Sequence, residues 1–288
     1  MNIMLIGANG QLGSDLRKVL TTEELIPLTH ADIEITDAAQ VEAIIKHHQP
    51  EVVINTAAYH KTDECEENAE KAFQVNALGV RNLALSCREH NATLVHMSTD
   101  YVFDGKKGEP YTELDTPNPI NVYGVSKLAG EHFVKYILDK YFLIRTSGLF
   151  GVAGSSGKGG NFIELMLRLA DERDEIRVVD DQTLSPTSTV DLANKIKKLI
   201  TTERFGLYHI TNNGACSWYD FAAKIFELSG KKPNLKRTTT EEFGAKANRP
   251  KYSVLDNYNL RQIGMDDMRT WEEALATYLH STNRLSLR

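Results

Sequence analysis

The stretch "NIMLIGANGQLG", residues 2–13, decides the fold. An apolar run ends on Gly7, and Gly10 and Gly13 follow at intervals of three before a helical pattern over 11–21. Glycine permits a tight turn and lets a charged group approach the backbone. The helix N-terminus beyond it offers unpaired N–H groups and a partial positive charge, so a strand–glycine–helix junction reads as a diphosphate site. The spacing is G-x-x-G-x-x-G rather than the dinucleotide fingerprint G-x-G-x-x-G. Its position directly between strand and helix carries the assignment, since a plain turn rarely needs three glycines.

Working outward, short apolar runs alternate with helical patterns. Strands are expected at 25–29, 51–58, 93–100 and 141–147, and helices at 37–48, 68–90 and around Tyr123. Such alternation predicts an α/β fold, a Rossmann-type doubly wound parallel sheet covered on both faces. Beyond residue 150 the rhythm loosens into a smaller C-terminal α/β substrate lobe. Residues 1–150 are expected to bind NAD(P), with returns near 176–200, and 151–288 to form most of the substrate-binding lobe. The glycine- and serine-rich run 151–160 is expected as a loop that is mobile before substrate binds. Helices are expected at 161–172, 188–200, 217–230 and 270–280, and strands at 176–180 and 206–211. Ser217 is the expected N-cap of the 217–230 helix, and Gly230 lies just past its end.

Bulk properties narrow the function classes. The chain has 288 residues, 41% hydrophobic and 25% charged, which is ordinary for a soluble globular protein. A net charge of -6 gives no general pull toward nucleic acid or anionic membrane. No apolar run approaches the ~18 residues of a spanning helix, and the first residues do not read as a signal peptide. Cys65, Cys87 and Cys216 are odd in number and lack C-x-x-C spacing, which fits unpaired thiols in a reducing cytoplasm.

Chemistry concentrates in two places. Tyr123 and Lys127 are four residues apart on an expected helix and share a face. A phenol of pKa ~10 is a poor acid–base group at neutral pH, and a nearby ammonium lowers that pKa. Ser98 and Thr99 end the fourth strand, the edge at which open parallel sheets bind ligands, where a hydroxyl orients a carbonyl. At the end of the second strand, near Thr29 and His30, the acid that would bind a ribose 2′-hydroxyl is missing. Arg17, Lys18 and His30 lean the cofactor toward NADPH; Asp32 or Glu34 slightly downstream keeps NADH open.

The motifs "GANGQLG" (7–13), "NTAAYHKTDECE" (55–66), "STDYVFDG" (98–105), "NVYGVSKLAGE" (121–131), "RTSGLFG" (145–151) and "RPKYSVLDN" (249–257) resemble the extended short-chain dehydrogenase/reductase family over nearly the whole chain. The closest resemblance is to its branch that reduces 4-keto nucleotide sugars. The resemblance implies NADPH-dependent reduction of the C4 keto group of dTDP-4-dehydro-L-rhamnose to dTDP-L-rhamnose, for cell-surface polysaccharide. Tyr123 would protonate the developing alkoxide, Lys127 would lower its pKa and hold the nicotinamide ribose, and Thr99 would polarise the carbonyl. Gly7, Asn9, Gly10, Gln11, Leu12 and Gly13 would surround the cofactor diphosphate, with Thr29, Ala57, Ala58, Tyr59, Asn76 and Ser98 completing the cofactor side. On the substrate side the resemblance implies Thr99, Asp100, Asn161, Phe162, Gln182 and Arg249, the last as a phosphate clamp. It also implies a homodimer, and allows Mg2+ at a subunit contact near Asp15, which nothing in the sequence requires. One departure matters: the family commonly carries an aromatic residue after R-T-S, and here Gly148 stands there, which puts the exact sugar in question.

Other features have plainer readings. His47 and His48 close a helix, where positive charge suits the dipole. No H-E-x-x-H or Cys/His spacing predicts a metal, and no G-x-S-x-G predicts a hydrolase. The acidic stretch 63–71 reads as the solvated start of a helix, and Trp218 and Trp271 as core or interface anchors. Two alternatives stay open. One is a non-catalytic NADP-binding partner, like the regulatory subunit of methionine adenosyltransferase, which resembles this family. The other is a related nucleotide-sugar reductase, epimerase or dehydratase. Tyr123, Lys127 and Thr99 together weigh against the first, and Tyr101 after Asp100 against a dehydratase.

Overall fold

Six parallel strands form the central sheet of the computed structural model, which describes residues 1–154 and 160–285. They are β1 (Asn2–Ile6), β2 (Glu24–Leu28), β3 (Val52–Asn55), β4 (Thr93–Thr99), β5 (Tyr141–Thr146) and the strand Gly206–His209. Across the sheet the order is Gly206–His209, β5, β4, β3, β1, β2. The chain steps from β1 to β2 and then returns to β3 on the other side of β1. That reversal opens a crevice at the carboxyl ends of β1 and β3, the place where such sheets bind ligands.

Alternation along the strands divides the core into two layers. Ile3 and Leu5 face the helices Gln11–Val19 and Thr189–Leu199, packing with Leu12, Leu16, Leu192 and Ile196. Met4 and Ile6 face Ala38–His48, Val80–Glu89 and Val122–Ile137, packing with Val41, Ile45, Leu83 and Val134. Each buried Leu or Ile contributes ~1.5–3 kcal/mol. Apolar side chains on both faces of β1 are what a covered parallel sheet demands.

A third core lies among Phe162–Glu172, Trp218–Ser229 and Trp271–Ser281, where Phe150, Ile163, Phe221, Ile225, Trp271 and Leu275 meet. Ser217 caps the Trp218–Ser229 helix and Gly230 ends it in the left-handed conformation. Glu175–Val179 pairs in parallel with Asn234–Thr238 beside this third core, not with the central sheet. The chain returns to the first layers through Thr189–Leu199 and Gly206–His209. Of the loop expected over 151–160, residues 155–159 lie outside the described residues.

Two expectations need revision. The single helix over 68–90 is interrupted: Ala69–Phe73 passes into a π-helical stretch, Gln74–Gly79, before Val80–Glu89. Such insertions are frequent at functional sites, and this one carries Asn76. The acidic stretch is not simply solvated. Asp63 accepts from the Arg249 guanidinium and the Ala247 N–H, and Glu67 pairs with Lys246, so the Thr62–Glu67 helix braces the segment 246–249. Two acids close in sequence meet two cations that only tertiary folding brings near.

Candidate active site

The glycine turn has the backbone its sequence requires. Gly7 has φ +81, and a Cβ there would lie 2.5 Å from the Thr56 hydroxyl. A Cβ on Gly13 would lie 2.2 Å from the Gly7 carbonyl, so the helix starts hard against the turn. Gly10 is the N-cap of Gln11–Val19 and supplies no side-chain acceptor, which leaves the first-turn N–H groups facing the crevice. Asn9 is exposed beside them and Leu12 is packed beneath. The Gln11 side-chain oxygen is buried without a partner among the described residues. An anion-binding helix end beside an unmet polar atom fits a dinucleotide diphosphate.

On the adenosine side, Asn76 fixes the loop after β3. Its amide donates to the Tyr59 carbonyl at 2.9 Å and to Ser126 at 3.0 Å, and its oxygen accepts from the Tyr59 N–H at 2.9 Å. Ala57, Ala58 and Tyr59 are thereby held at the crevice between β1 and β3. At the end of β2, Asp32 is spent on the N–H and hydroxyl of Thr29, and Glu34 on those of Thr36. Each acid thus has one oxygen engaged locally, Glu34 also lies 3.6 Å from His30 Nδ1, and the His30 and Arg17 side chains are exposed. Asp15 is buried, accepting from Lys18 at 2.8 Å and Thr189 at 2.6 Å, so its carboxylate ties two helices together.

The Val122–Ile137 helix is capped by Asn121, whose side chain accepts from the Gly124 N–H at 2.7 Å. That cap places Tyr123 beside Thr99 at the end of β4. The Thr99 hydroxyl donates to Asp100 at 3.0 Å and accepts from the Tyr101 N–H at 3.1 Å. Burial raises the Tyr123 pKa, opposed by the Thr99 contact and assisted by the Asp100 charge. Lys127 is buried one turn on and moves the other way: burial brings it down to about 8, against the pull of Glu131. Its amine donates to the Met97 carbonyl at 2.6 Å and lies 3.4 Å from His96 Nε2. The expectation that Lys127 lowers the tyrosine pKa is therefore not met in this state. The pair is pushed apart, with the proton favoured on Tyr123, and a protonated phenol is the form that a reduction consumes.

Ser98 and Thr99 do not work as a pair. Leu94, His96 and Ser98 face the Val122–Ile137 helix, and Ser98 donates to Glu131 at 2.6 Å. Glu131 also takes two bonds from Arg145, at 2.8 and 2.6 Å, with both side chains almost wholly buried. Removing one partner of such a pair costs about 3–5 kcal/mol, because the other charge is left stranded. The network fixes the floor beneath Lys127 and leaves the Ser98 hydroxyl occupied there.

Asp100 is likewise occupied. It is buried and accepts from Thr99, from Ser147 at 2.8 Å and from Ser253 at 2.6 Å, joining the ends of β4 and β5 to the "RPKYS" segment. Tyr101, to which the motif reading gave no binding role, stacks edge-on against Tyr123 at 6.0 Å and lies near the Arg249 guanidinium, whose charge opposes the rise that burial gives its pKa. Its place directly after the strand-end hydroxyl was the available signal. Arg249 thus reaches the site through Tyr101 while bound to Asp63. Asn161, Phe162 and Gln182 lie in the second lobe. Asn161 caps Phe162–Glu172 and donates to Gly151 and Tyr278, Phe162 stacks on Phe221, and Gln182 donates to Thr240. Gly148 has φ +55, and a Cβ there would lie 2.7 Å from Leu184. Gly148 thus sits in a left-handed conformation that side chains rarely adopt, against a neighbour that leaves no room for a Cβ.

Comparison with known proteins agrees with this geometry. Residues 1–284 match the family model described as RmlD substrate binding domain. The chain is 42% identical to the spore coat polysaccharide biosynthesis protein SpsK of Bacillus subtilis, over 96% of each chain. It is 39% identical to a Streptomyces niveus protein named dTDP-4-keto-6-deoxy-D-glucose reductase, over 94% of each. It is similar, with a TM-score of 0.93 and 44% identity, to the crystal structure of dTDP-4-dehydrorhamnose reductase from Bacillus anthracis in complex with NADP, covering 97% of this chain and 98% of that one. With matches of this extent meeting on one crevice and one Tyr–Lys helix, the chain belongs to the RmlD substrate-binding-domain family of dTDP-4-dehydrorhamnose reductases.

Proposed function

We propose that the chain reduces the C4 keto group of dTDP-4-dehydro-L-rhamnose with NADPH, giving dTDP-L-rhamnose for polysaccharide synthesis. The observation that carries the reading is the placement of Tyr123 and Lys127 on one helix, with Thr99 at the adjoining strand end and a diphosphate-type glycine turn after β1. The relatives' names support the substrate, and the NADP complex of the Bacillus anthracis relative, with the exposed His30 and Arg17 side chains, supports NADPH over NADH. NADPH, when bound, supplies the hydride. Gly7, Gly10 and the first turn of Gln11–Val19 would hold its diphosphate, with Ala57–Tyr59 along the adenosine side.

This chain's residues then handle one proton. As the ketone becomes an alkoxide, Tyr123 gives that oxygen its proton and is left as phenolate. Thr99 can turn its hydroxyl to donate to the phenolate, which is the contact that opposes the raised pKa. Lys127 stands one turn away with the lower pKa of the two, so proton return from its ammonium to Tyr123 is downhill. We also propose residues 1–150 with the returning 189–209 segment as the cofactor-binding part, most of 151–288 as the substrate-binding part, and a homodimer in the cytoplasm. The three buried thiols, none of them in a disulfide, fit a reducing compartment, and no helix among the described residues is long and apolar enough to cross a membrane.

A second reading, reduction of dTDP-4-keto-6-deoxy-D-glucose, rests on the name of the Streptomyces niveus relative. The purified protein is to be offered both sugars with NADPH, with NMR assignment of the product. Rhamnose formation supports the first reading and a D-configured 6-deoxy sugar the second. Tight NADPH binding with no turnover of either sugar would contradict both and favour a binding module.

A further inference from the structure

We propose that Asn55 and His96 form a tautomer lock on Lys127, positioning residues that set whether its amine accepts or donates a hydrogen bond. All three side chains are buried, so solvent does not relax the choice. The reasoning starts from a group whose role is fixed. The Ala57 backbone N–H is a donor and lies 3.0 Å from Asn55 Oδ1. Only the amide oxygen can stand there, which orients the Asn55 side chain. Its NH2 group is then the atom facing His96 Nδ1, at 3.2 Å. An amide NH2 only donates, so Nδ1 must offer its lone pair. A neutral imidazole with a bare Nδ1 carries its proton on Nε2.

That N–H points at Lys127 Nζ, 3.4 Å away. An ammonium has three donors and no lone pair, so a charged Lys127 would set donor against donor. A neutral amine accepts from His96 and still donates to the Met97 carbonyl. A doubly protonated His96 is no escape, since burial alone holds its pKa well below the usual value.

The other groups facing Lys127 do not reverse this. Glu131, one turn along the same helix, favours the ammonium, but its carboxylate is shared among Arg145 from β5, Ser98 from β4 and Lys135. Tyr123 lies a turn before, with Asp100 beyond it at the end of β4 and Cys65 beside it from Thr62–Glu67. The neighbouring π-helical stretch contributes the neutral Asn76, bonded to Ser126. Burial depresses Lys127, and the lock adds a directional reason for the same outcome.

The consequence rests on the reading of Tyr123 and Lys127 as the proton-handling pair. An amine that titrates near the working pH can pass a proton to the Tyr123 phenolate and be recharged, whereas an ordinary lysine holds its proton too tightly.

The test is NMR on cofactor-free, 15N-labelled protein, which needs no turnover. Correlation of the ring nitrogens with the carbon-bound ring protons should show His96 as the Nε2–H tautomer. The Nδ1–H tautomer would overturn the lock. In Asn55→Asp, the carboxylate still accepts from Ala57 but also accepts from Nδ1, so His96 should switch to Nδ1–H. The Lys127 pKa, followed by its side-chain shifts, should rise by about one unit or more, and the alkaline limb of kcat/KM should move with it. A folded Asn55→Asp protein with an unswitched tautomer, or a switched one with an unmoved Lys127, contradicts the proposal. If that variant fails to fold, the parent tautomer decides alone. A protein inactive on every sugar yet showing the Nε2–H tautomer would sink the proposed function and leave the lock standing.

Discussion

Arg249 and Asp63 are joined by two hydrogen bonds, Nη1 to Oδ1 at 3.2 Å and Nη2 to Oδ2 at 2.9 Å, across 186 residues of chain. The guanidinium holds the Asp63 carboxyl below its usual pKa and lies near Tyr101, which stacks edge-on against Tyr123. The arginine expected to clamp a substrate phosphate is therefore first a strut between the acidic helix and the C-terminal segment. The two roles separate by mutation. If the guanidinium meets substrate, Arg249→Ala raises KM for the nucleotide sugar at least about tenfold, for a lost charge-assisted bond of about 1.5–3 kcal/mol. Asp63→Ala, which frees the arginine, should leave KM unchanged or lower it. Equal rises in both variants would assign the pair to structure alone.

Glu113 makes a prediction about pH. One carboxylate oxygen accepts from the N–H groups of His209 at 2.7 Å and Asn259 at 3.2 Å, and the other is buried without a partner among the described residues. Burial pushes its pKa from 4.5 up to about 7. The folded protein thus binds more protons than the unfolded chain between those values. The contribution is fully present below about pH 4.5 and is lost as pH rises through about 7. Glu113→Gln keeps the accepting oxygen and removes the titration. The parent should lose on the order of 2–3 kcal/mol relative to the variant across this window, read from denaturant unfolding. Parallel stability–pH curves would refute it.

Gly148 predicts strain. With φ +55 and Leu184 2.7 Å from a built Cβ, Gly148→Ala meets both a left-handed backbone and a clash. The loss should be about 1–3 kcal/mol, seen as a lowered Tm. A variant of unchanged Tm would show that the turn relaxes and that an aromatic could be restored there.

What was legible divides by range. The "GANGQLG" turn, the strand–helix alternation and the Tyr123–Lys127 spacing are local patterns, and each takes its shape from residues within one turn or strand. The π-helical break at Gln74–Gly79 was not legible, because nothing in "QVNALG" departs from an ordinary helical pattern. Ser98 and Thr99 are adjacent letters, yet strand alternation sends Ser98 to Glu131 and leaves Thr99 for Tyr123. The bracing of Asp63 and Glu67 depends on partners more than 170 residues away. His96 looked like one scattered histidine, since its meaning depends on the Ala57 N–H two residues beyond Asn55. The direction of the Tyr123 shift was misjudged for a related reason: helical spacing shows that two side chains share a face, not which neighbour each one bonds.

The most direct measurement is single-turnover oxidation of NADPH with dTDP-4-dehydro-L-rhamnose by the parent and by Tyr123→Phe. The variant keeps the ring against Tyr101 and loses only the proton that the reduction consumes. Its rate should fall by about 10²–10⁴ with NADPH affinity unchanged. A variant that reduces the sugar as fast as the parent would remove Tyr123 from the chemistry and contradict the account.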